Sequence, residues 1–416
     1  MRKTVQKILC AVMTGVLLVG LPWQLALAQK AKKSDDKKQP APEMGATTGK
    51  HLNEAIELLN KEQYDAAKKA LAGLSMDTLS PYERSKVEQI MASIEHSQGH
   101  YDKARAHYQA AITAGGLNEQ EVNETRYYIA QLYIAEEHWK EGSAALEEWF
   151  RTTAKPNSAA YYLLAICYYQ MGDYVKATTP AQKAVELAEK PQESMLQLLM
   201  SLYMQREQYS AAIPLLEQLI VLAPTKKVYW MQLSSIYGEK EDYANALVMM
   251  ELPYNAGLLS ESSEFHRLAD LLLLGGIPYR ATQVLTNAAK DKKVVEDQKY
   301  FEKLANCLIA AREFEQAVGP LQRAAQIAAN GNLYARLAEV QMQLENWGDA
   351  SDAYQNALNK GGLKDTGYAN VMLGIALYNQ KKYSEALPAF RRALSSPKEE
   401  KTAKGYIDLI QAEQRG

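Results

Sequence analysis

A small residue recurs along this chain at intervals of 33 to 38 residues. An aromatic side chain stands three positions before nine of the ten small residues, and Pro278 takes its place before the seventh. A small side chain lets two helix axes approach closely, and the aromatic ring fills the space beside the crossing. The spacing therefore predicts an all-α chain of about ten helix pairs that bury their apolar faces by stacking. The small residues are Ala67, Ala104, Gly142, Ala177, Ala212, Ala246, Ala281, Ala317, Ala350 and Ala386.

The clearest copies of this unit lie between Tyr161 and Pro224, where eight positions repeat in one register. Tyr161, Leu164, Ala165, Tyr168, Tyr174, Ala177, Ala181 and Ala184 align with Leu196, Leu199, Met200, Tyr203, Tyr209, Ala212, Leu216 and Leu219. The pattern resembles the tetratricopeptide repeat (TPR) family. The resemblance implies a right-handed TPR superhelix, an α-α solenoid of helix-turn-helix repeats. We expect the array at residues 50–397, with a C-terminal capping helix and tail at 398–416.

Residues 1–28 have the pattern of a secretory signal peptide. Three basic residues precede an apolar run, and Ala26-Leu27-Ala28 offers a small-x-small cleavage site. The alternative is an uncleaved membrane anchor, although the apolar run is shorter than the ~20 residues that a span needs. Residues 29–49 are polar, rich in lysine and contain proline, so we expect a flexible linker there.

Glycines mark several of the expected turns. Gly99, Gly172 and Gly276 fall between paired helices, where we expect a positive φ. The pairs Gly115-Gly116 and Gly361-Gly362 fall between units, where a glycine ends a helix.

Composition and motifs argue against nucleic-acid binding and against catalysis. Residues 1–28 hold three of the 47 basic residues and none of the 49 acidic ones, so the remaining chain is mildly acidic. Nucleic-acid binding needs a basic stripe, and none appears within the repeats. Serine-hydrolase, zinc-protease, phosphate-loop and paired-cysteine motifs are missing, so we expect no catalytic residues, metal or cofactor. Cys167 and Cys307 are expected to be buried as small apolar residues.

In tetratricopeptide proteins the first helix of each pair lines a concave groove. Positions i, i+4 and i+7 of these helices share one face, which here carries tyrosine, methionine, amides and a few acids. These positions hold no lysine or arginine, unlike the carboxylate clamp of chaperone-binding members. Such a surface suits an extended peptide, and its acids favour a basic one. The open alternative is that some of these side chains pack within the array. The predicted contact residues are Tyr127, Gln131, Tyr162, Tyr169, Gln197, Met204, Met231, His266, Asp270, Glu302 and Asn306.

Three stretches carry a closer resemblance. Residues 214–247, 267–285 and 301–321 are similar to exported tetratricopeptide proteins encoded beside TonB–ExbB–ExbD systems in Gram-negative bacteria. The resemblance implies a periplasmic, non-enzymatic scaffold accessory to TonB-dependent energy transduction and uptake. Its partner would be a protein or extended peptide, with no nucleic acid and no transmembrane segment after signal removal. Two alternatives stay open: a scaffold for cell-wall or outer-membrane biogenesis, and an enzyme with an unrecognised site.

Overall fold

The computed structural model describes residues 44–414, and over that range it holds 21 α-helices, one 3₁₀ turn at Met76–Thr78 and no strand. The chain divides into two units after Leu222. Among the described residues, no helix combines the length and the apolarity that crossing a membrane requires. The predicted all-α repeat fold is confirmed. The expected signal peptide and most of the expected linker lie outside the described residues.

The first unit consists of five helix hairpins. The two helices of each hairpin pack together, and within the unit each of the first four second helices also contacts the first helix of the next hairpin. The helices are α1 (Ala46–Asn60), α2 (Tyr64–Ala72), α3 (Pro81–Ser97), α4 (Tyr101–Thr113), α5 (Glu119–Ala135), α6 (Trp139–Thr152), α7 (Ser158–Gln170), α8 (Tyr174–Leu187), α9 (Glu193–Gln205) and α10 (Tyr209–Leu222).

The second unit consists of five further hairpins and a final single helix that packs on the last of them. Its helices are α11 (Lys227–Glu239), α12 (Tyr243–Asn255), α13 (Ser262–Leu274), α14 (Pro278–Lys290), α15 (Gln298–Ala310), α16 (Phe314–Ile327), α17 (Asn332–Gln343), α18 (Trp347–Lys360), α19 (Thr366–Asn379), α20 (Tyr383–Ala393) and α21 (Glu400–Glu413).

The helix crossings lie where the small residues predicted them. Each of the ten second helices begins at the marked aromatic residue, or at Pro278 in the seventh hairpin. The nine marked alanines are 0% exposed, and Gly142 is buried as well. A Cβ atom at Gly142 would lie 2.8 Å from Ile134 Cγ1, so this crossing has no room for a larger side chain.

Every hairpin turn contains one residue with positive φ. Gly99, Gly172 and Gly276 have φ of +76°, +77° and +71°, as predicted. The N–H three residues past the helix end donates to a carbonyl five residues back, for example from His100 to Glu95 at 2.8 Å. This closure is the Schellman motif, which satisfies carbonyls left unpaired at a helix end. The other seven turns use charged residues at the same place, namely Glu62, Glu137, Glu207, Glu241, Arg312, Glu345 and Lys381.

Both ends of the described range are tied down. Helix α1 begins at Ala46, so the last four residues of the expected linker are helical. Glu83 accepts hydrogen bonds from the backbone N–H of Ser80 at 2.9 Å and of Gly45 at 3.0 Å. These bonds lower the pKa of Glu83 to about 2, and the bond from Ser80 has the largest effect. At the other end α21 forms the expected cap, and its Tyr406 ring stacks on Phe390 at 4.9 Å.

Candidate functional site

The predicted contact residues of α5 belong to an aromatic row in the first unit. The ring of Tyr127 lies 4.9 Å from that of Trp149, which lies 5.2 Å from Phe150, which lies 4.6 Å from Tyr161. Burial raises the pKa of Tyr127 to about 12, and the side chain of Gln131 hydrogen-bonds its hydroxyl. Tyr127 and Gln131 therefore support each other and the packing of the hairpin, and each is half-buried.

The two predicted tyrosines of α7 have different surroundings. Tyr162 is half-buried, burial raises its pKa, and its hydroxyl hydrogen-bonds the side chain of Ser194 on α9. The ring of Tyr169 lies 5.3 Å from that of Tyr174, which opens the second helix of the same hairpin. Both side chains keep part of their surface exposed, so packing and contact with a partner are compatible.

Helix α9 carries the last two predicted residues of the first unit. Gln197 donates from Nε2 to Oε1 of Glu193 at 3.1 Å, one turn earlier in the same helix. Met204 lies two turns further along and is half-buried. The two side chains offer an amide and a flexible thioether to a ligand.

In the second unit, Met231 and His266 lie on successive first helices. Met231 of α11 is half-buried against the apolar core that includes Phe265 and Leu268. His266 of α13 is 6% exposed, and its Nδ1 has no hydrogen-bond partner among the described residues. Burial, with the charge of Lys303, lowers the pKa of His266, so the imidazole is neutral near pH 7.

An ion pair joins α13 to α15. The ammonium group of Lys303 contacts the carboxylate of Asp270, and it lies 3.4 Å from the main-chain oxygen of His266. The Lys303 side chain is 15% exposed and that of Asp270 is 54% exposed. Asp270 was predicted as an acidic complement to a basic partner, and the structure instead neutralises it within the array.

Asn306 lies one turn beyond Lys303 on α15. Its Oδ1 atom is buried and has no hydrogen-bond partner within residues 44–414. Glu302, one turn before Asn306, is half-buried. We call His266, Asp270, Lys303 and Asn306 the polar seam. These side chains bring an imidazole, an ion pair and an amide together across two neighbouring first helices.

The predictions missed a column of cations one residue later in three of the five first helices of the second unit. Arg267, Lys303 and Arg336 follow the predicted column directly and are half-buried. Burial lowers the pKa of Arg267, whose Nη2 lies 3.4 Å from Ser234 Oγ. The surface is therefore less acidic than the predicted positions alone indicate. The signal was present in the sequence as three basic residues at repeat spacing.

The described residues offer little chemistry beyond binding. Cys167 and Cys307 are 0% exposed, and burial raises the pKa of their thiols to about 12 and about 11. Both thiols therefore stay protonated and weakly reactive. Across residues 44–414, no group of three or more His, Cys, Asp or Glu side chains is placed to hold a metal ion.

Two family profiles match parts of the chain. Residues 336–400 match the tetratricopeptide repeat family. Residues 85–264 match the ChAPs family of Chs5p-Arf1p-binding proteins. No curated protein matches the chain.

Several solved structures resemble parts of the chain at low sequence identity. YrrB, described as a TPR protein with an unusual peptide-binding site, is 18% identical over 45% of this chain and 90% of its own, with a TM-score of 0.36. A tetratricopeptide repeat protein from Parabacteroides merdae is 15% identical over 72% of this chain and 100% of its own, with a TM-score of 0.38. MamA is 23% identical over 43% of this chain and 94% of its own, with a TM-score of 0.35. Similarity at this level carries no information about function. The matched repeat segment and the hairpins of both units show that the chain has the tetratricopeptide-repeat fold.

Proposed function

We propose that this chain is a non-enzymatic scaffold that holds an extended segment of a partner protein against its first helices. The observation that carries the proposal is the polar seam, where His266 Nδ1 and Asn306 Oδ1 are buried without a partner in the described range. A buried polar atom without a hydrogen bond costs about 1–3 kcal/mol. Both atoms are closed to solvent, so a ligand would reach Asn306 only if its half-buried side chain turned outward. The main chain of a bound peptide, with a donor and an acceptor at every residue, would then pair with this amide without requiring a particular sequence.

The tyrosines of the first unit form a second proposed contact surface, described by itself. Tyr162 and Tyr169 are half-buried, so each exposes part of a ring that is already held in place by its neighbours. Rigid aromatic side chains give a large contact area for a small loss of conformational entropy on binding. The two tyrosines would contact apolar side chains of the partner.

The charges of the polar seam set the expected character of the partner. Lys303 already neutralises Asp270, so the carboxylate open to a basic side chain of the partner is that of Glu302. Glu302 is half-buried nearby on the same helix as Lys303 and forms no ion pair within residues 44–414. We therefore keep a basic extended segment as the proposed ligand.

The finer proposal is an exported scaffold that acts in the periplasm beside a TonB system. The signal-peptide pattern of residues 1–28 supports export, and the similarity of residues 214–247, 267–285 and 301–321 to TonB-associated repeat proteins supports the system. The proline- and lysine-rich extended segment of TonB is a ligand of the proposed type. Fractionation with N-terminal sequencing tests the location, because the mature chain should begin at Gln29 in the periplasm. A mature chain recovered from the cytoplasm would end this part of the proposal.

Site-specific crosslinking tests the partner and the surface together. A photocrosslinking residue is placed at Tyr162, at Glu302 or at Gln283, which is exposed on the second helix α14. The full chain is expressed in a Gram-negative host. We expect capture of TonB, ExbB or ExbD from the first two positions and none from Gln283. Capture of a cell-wall or outer-membrane assembly factor would assign the scaffold to envelope assembly.

Substitutions then test whether the named side chains bind. We expect Asn306→Ala, and separately the pair Tyr162→Ala and Tyr169→Ala, to reduce capture about fivefold or more, equivalent to about 1 kcal/mol. The control Gln283→Ala should leave capture unchanged. Helical circular dichroism should match the parent chain in all variants. Equal capture by the parent and by both groove variants would refute the assignment of this surface.

A further inference from the structure

The seventh hairpin turn differs from the other nine. Ile277 stands directly before its second helix, where every other turn has a polar residue. The backbone of this turn is closed in the usual way, because Ile277 N–H donates to Leu272 O at 2.8 Å. The apolar residue is therefore not needed to form the turn. The polar residues at the equivalent positions are Gln63, His100, His138, Asp173, Gln208, Asp242, Glu313, Asn346 and Lys382.

Three large apolar side chains project from this turn. Leu274 is 62% exposed, Ile277 is 45% exposed and Tyr279 is 54% exposed. In the other hairpins an aromatic residue opens the second helix, and all but Tyr243 are at least half-buried there. Here Pro278 takes that position. The aromatic residue, Tyr279, comes one residue later in the sequence, and its side chain is exposed. We call Leu274, Ile277 and Tyr279 the turn patch.

A cleft of about 430 Å³ lies between the turn patch and the next hairpin turn. Ile277, Pro278 and Tyr279 line one side, and Ala310, Ala311 and Arg312 line the other. The two alanines leave room beside the patch that larger residues would fill. The cleft is apolar at its centre and open to solvent, which suits a large apolar side chain from another molecule.

Charged residues flank the cleft on both sides. The preceding turn carries Glu239 and Glu241, which are exposed and form no ion pair within the described range, and the exposed Lys240 between them leaves the turn with a net negative charge. That turn is adjacent because a Cβ atom at Gly275 would lie 3.5 Å from Leu247 near the start of α12. The following turn carries Arg312, which is also exposed and unpaired among the described residues. Glu313 beside it lines the cleft as well, but it is half-buried and accepts a hydrogen bond from Gln316 Nε2 at 2.7 Å. The patch thus lies between a turn of net negative charge and an exposed guanidinium group.

We propose that the turn patch docks an extended segment of a partner protein with a large apolar residue between a basic and an acidic one. The basic residue faces Glu239 and Glu241, and the acidic residue faces Arg312. Packed helix layers lie about 10 Å apart, which is about three residues of extended chain. The segment therefore has the spacing basic-x-x-apolar-x-x-acidic. The site adjoins the polar seam, because Ala310 follows Asn306 by one helical turn, but no seam residue lines the cleft. It therefore goes beyond the proposed function.

A synthetic peptide tests the proposal on the full chain. The probe is a fluorescein-labelled peptide with Lys, Trp and Glu at this spacing, separated by Gly and Ser. Its control exchanges the Lys and the Glu. We expect saturable binding of the probe by fluorescence anisotropy, and binding of the control peptide about fivefold weaker or more. Equal affinity for both peptides, or no saturable binding at about 1 mM, would overturn the proposal.

Exposed substitutions locate the site without unfolding the chain. The double variant Ile277→Gln and Tyr279→Ser should weaken probe binding about tenfold or more. Val295→Gln changes a 66% exposed valine outside the patch and should leave the affinity unchanged. Asn306→Ala should also leave the affinity for the probe unchanged, although it is expected to reduce capture of the partner. The two assays therefore report on different sites. Sedimentation of the parent chain is the last check, since a dimer dissolved by Ile277→Gln would assign the patch to a second copy instead.

Discussion

Two glycine-to-alanine substitutions of opposite expected effect test how tightly the loops between hairpins pack. Gly331 precedes α17, and its N–H donates to Gly361 O at 2.7 Å. A Cβ atom at Gly331 would lie 2.1 Å from the main-chain oxygen of Ala357, so the loop at Gly331 and the last turn of α18 must separate. Overpacking costs about 1–3 kcal/mol, and the weakened hydrogen bond costs about 1 kcal/mol more. We expect Gly331→Ala to lower the free energy of unfolding by about 2–4 kcal/mol.

Gly405 provides the matched control. It lies inside α21, its φ is not positive, and a Cβ atom there would meet nothing within 4 Å. Alanine at this position should stabilise the helix by about 0.5–1 kcal/mol. Urea denaturation followed by circular dichroism measures both variants, with a fit that allows hairpins to unfold separately. If the free energies of unfolding of the two variants agree within about 0.5 kcal/mol, Gly331 is not as closely packed as the structure indicates.

Three further substitutions test the ends and the turns. The pKa of Glu83 lies near 2, so its carboxylate stabilises the chain above the ordinary value of 4.5 and loses that effect as pH falls towards 2. The melting temperature of the parent should drop more over this range than that of Glu83→Gln, and parallel curves would contradict this. Glu137→Gly removes a left-handed non-glycine residue and should raise the unfolding free energy by about 1 kcal/mol in urea titrations, whereas a decrease would count against strain there. Phe390→Ala should lower the free energy of unfolding by about 3–5 kcal/mol. It should also speed amide hydrogen exchange in α21, because Tyr406 loses its stacking partner. Unchanged exchange would show that other contacts hold α21.

The repeat positions could be predicted because a single physical requirement recurs at each crossing. Two helix axes can approach only where a small side chain lies between them, so Ala281 and Ala317 were identifiable without a structure. The starts of the second helices followed from the same pattern. Turns that use charged residues at positive φ were missed, because at Glu207 and Arg312 the backbone hydrogen bonds of the Schellman motif hold a conformation that the residue type does not suggest.

The candidate surface was predicted only in part because it depends on contacts between repeats. Helical spacing placed His266, Asp270 and Asn306 on successive first helices, and the structure agrees. The pairing of Asp270 with Lys303 depends on how one hairpin stacks on the next, which periodicity does not specify. The same limit applies to Ile277. The sequence shows an isoleucine at this turn, but the exposure of its side chain depends on how the neighbouring turn packs.

Two asparagines in the second unit show how binding and stability are linked at the polar seam. Asn370 on α19 is satisfied, since its Nδ2 donates to Thr366 O at 2.8 Å and its Oδ1 accepts from Arg392 Nε at 2.9 Å. Asn306 Oδ1 is buried and has no such partner within the described range. The same replacement by leucine should therefore have opposite effects at the two positions.

We expect Asn306→Leu to raise the unfolding free energy by about 1–2 kcal/mol while it reduces capture of the partner. Asn370→Leu should lower stability by about 1–3 kcal/mol, because Arg392 loses an acceptor, and capture should persist while the chain is folded. Urea titration and the crosslinking assay read the two effects separately. Equal loss of stability at both positions would mean that Asn306 is satisfied within the fold, and the main argument for a peptide at the polar seam would then fail.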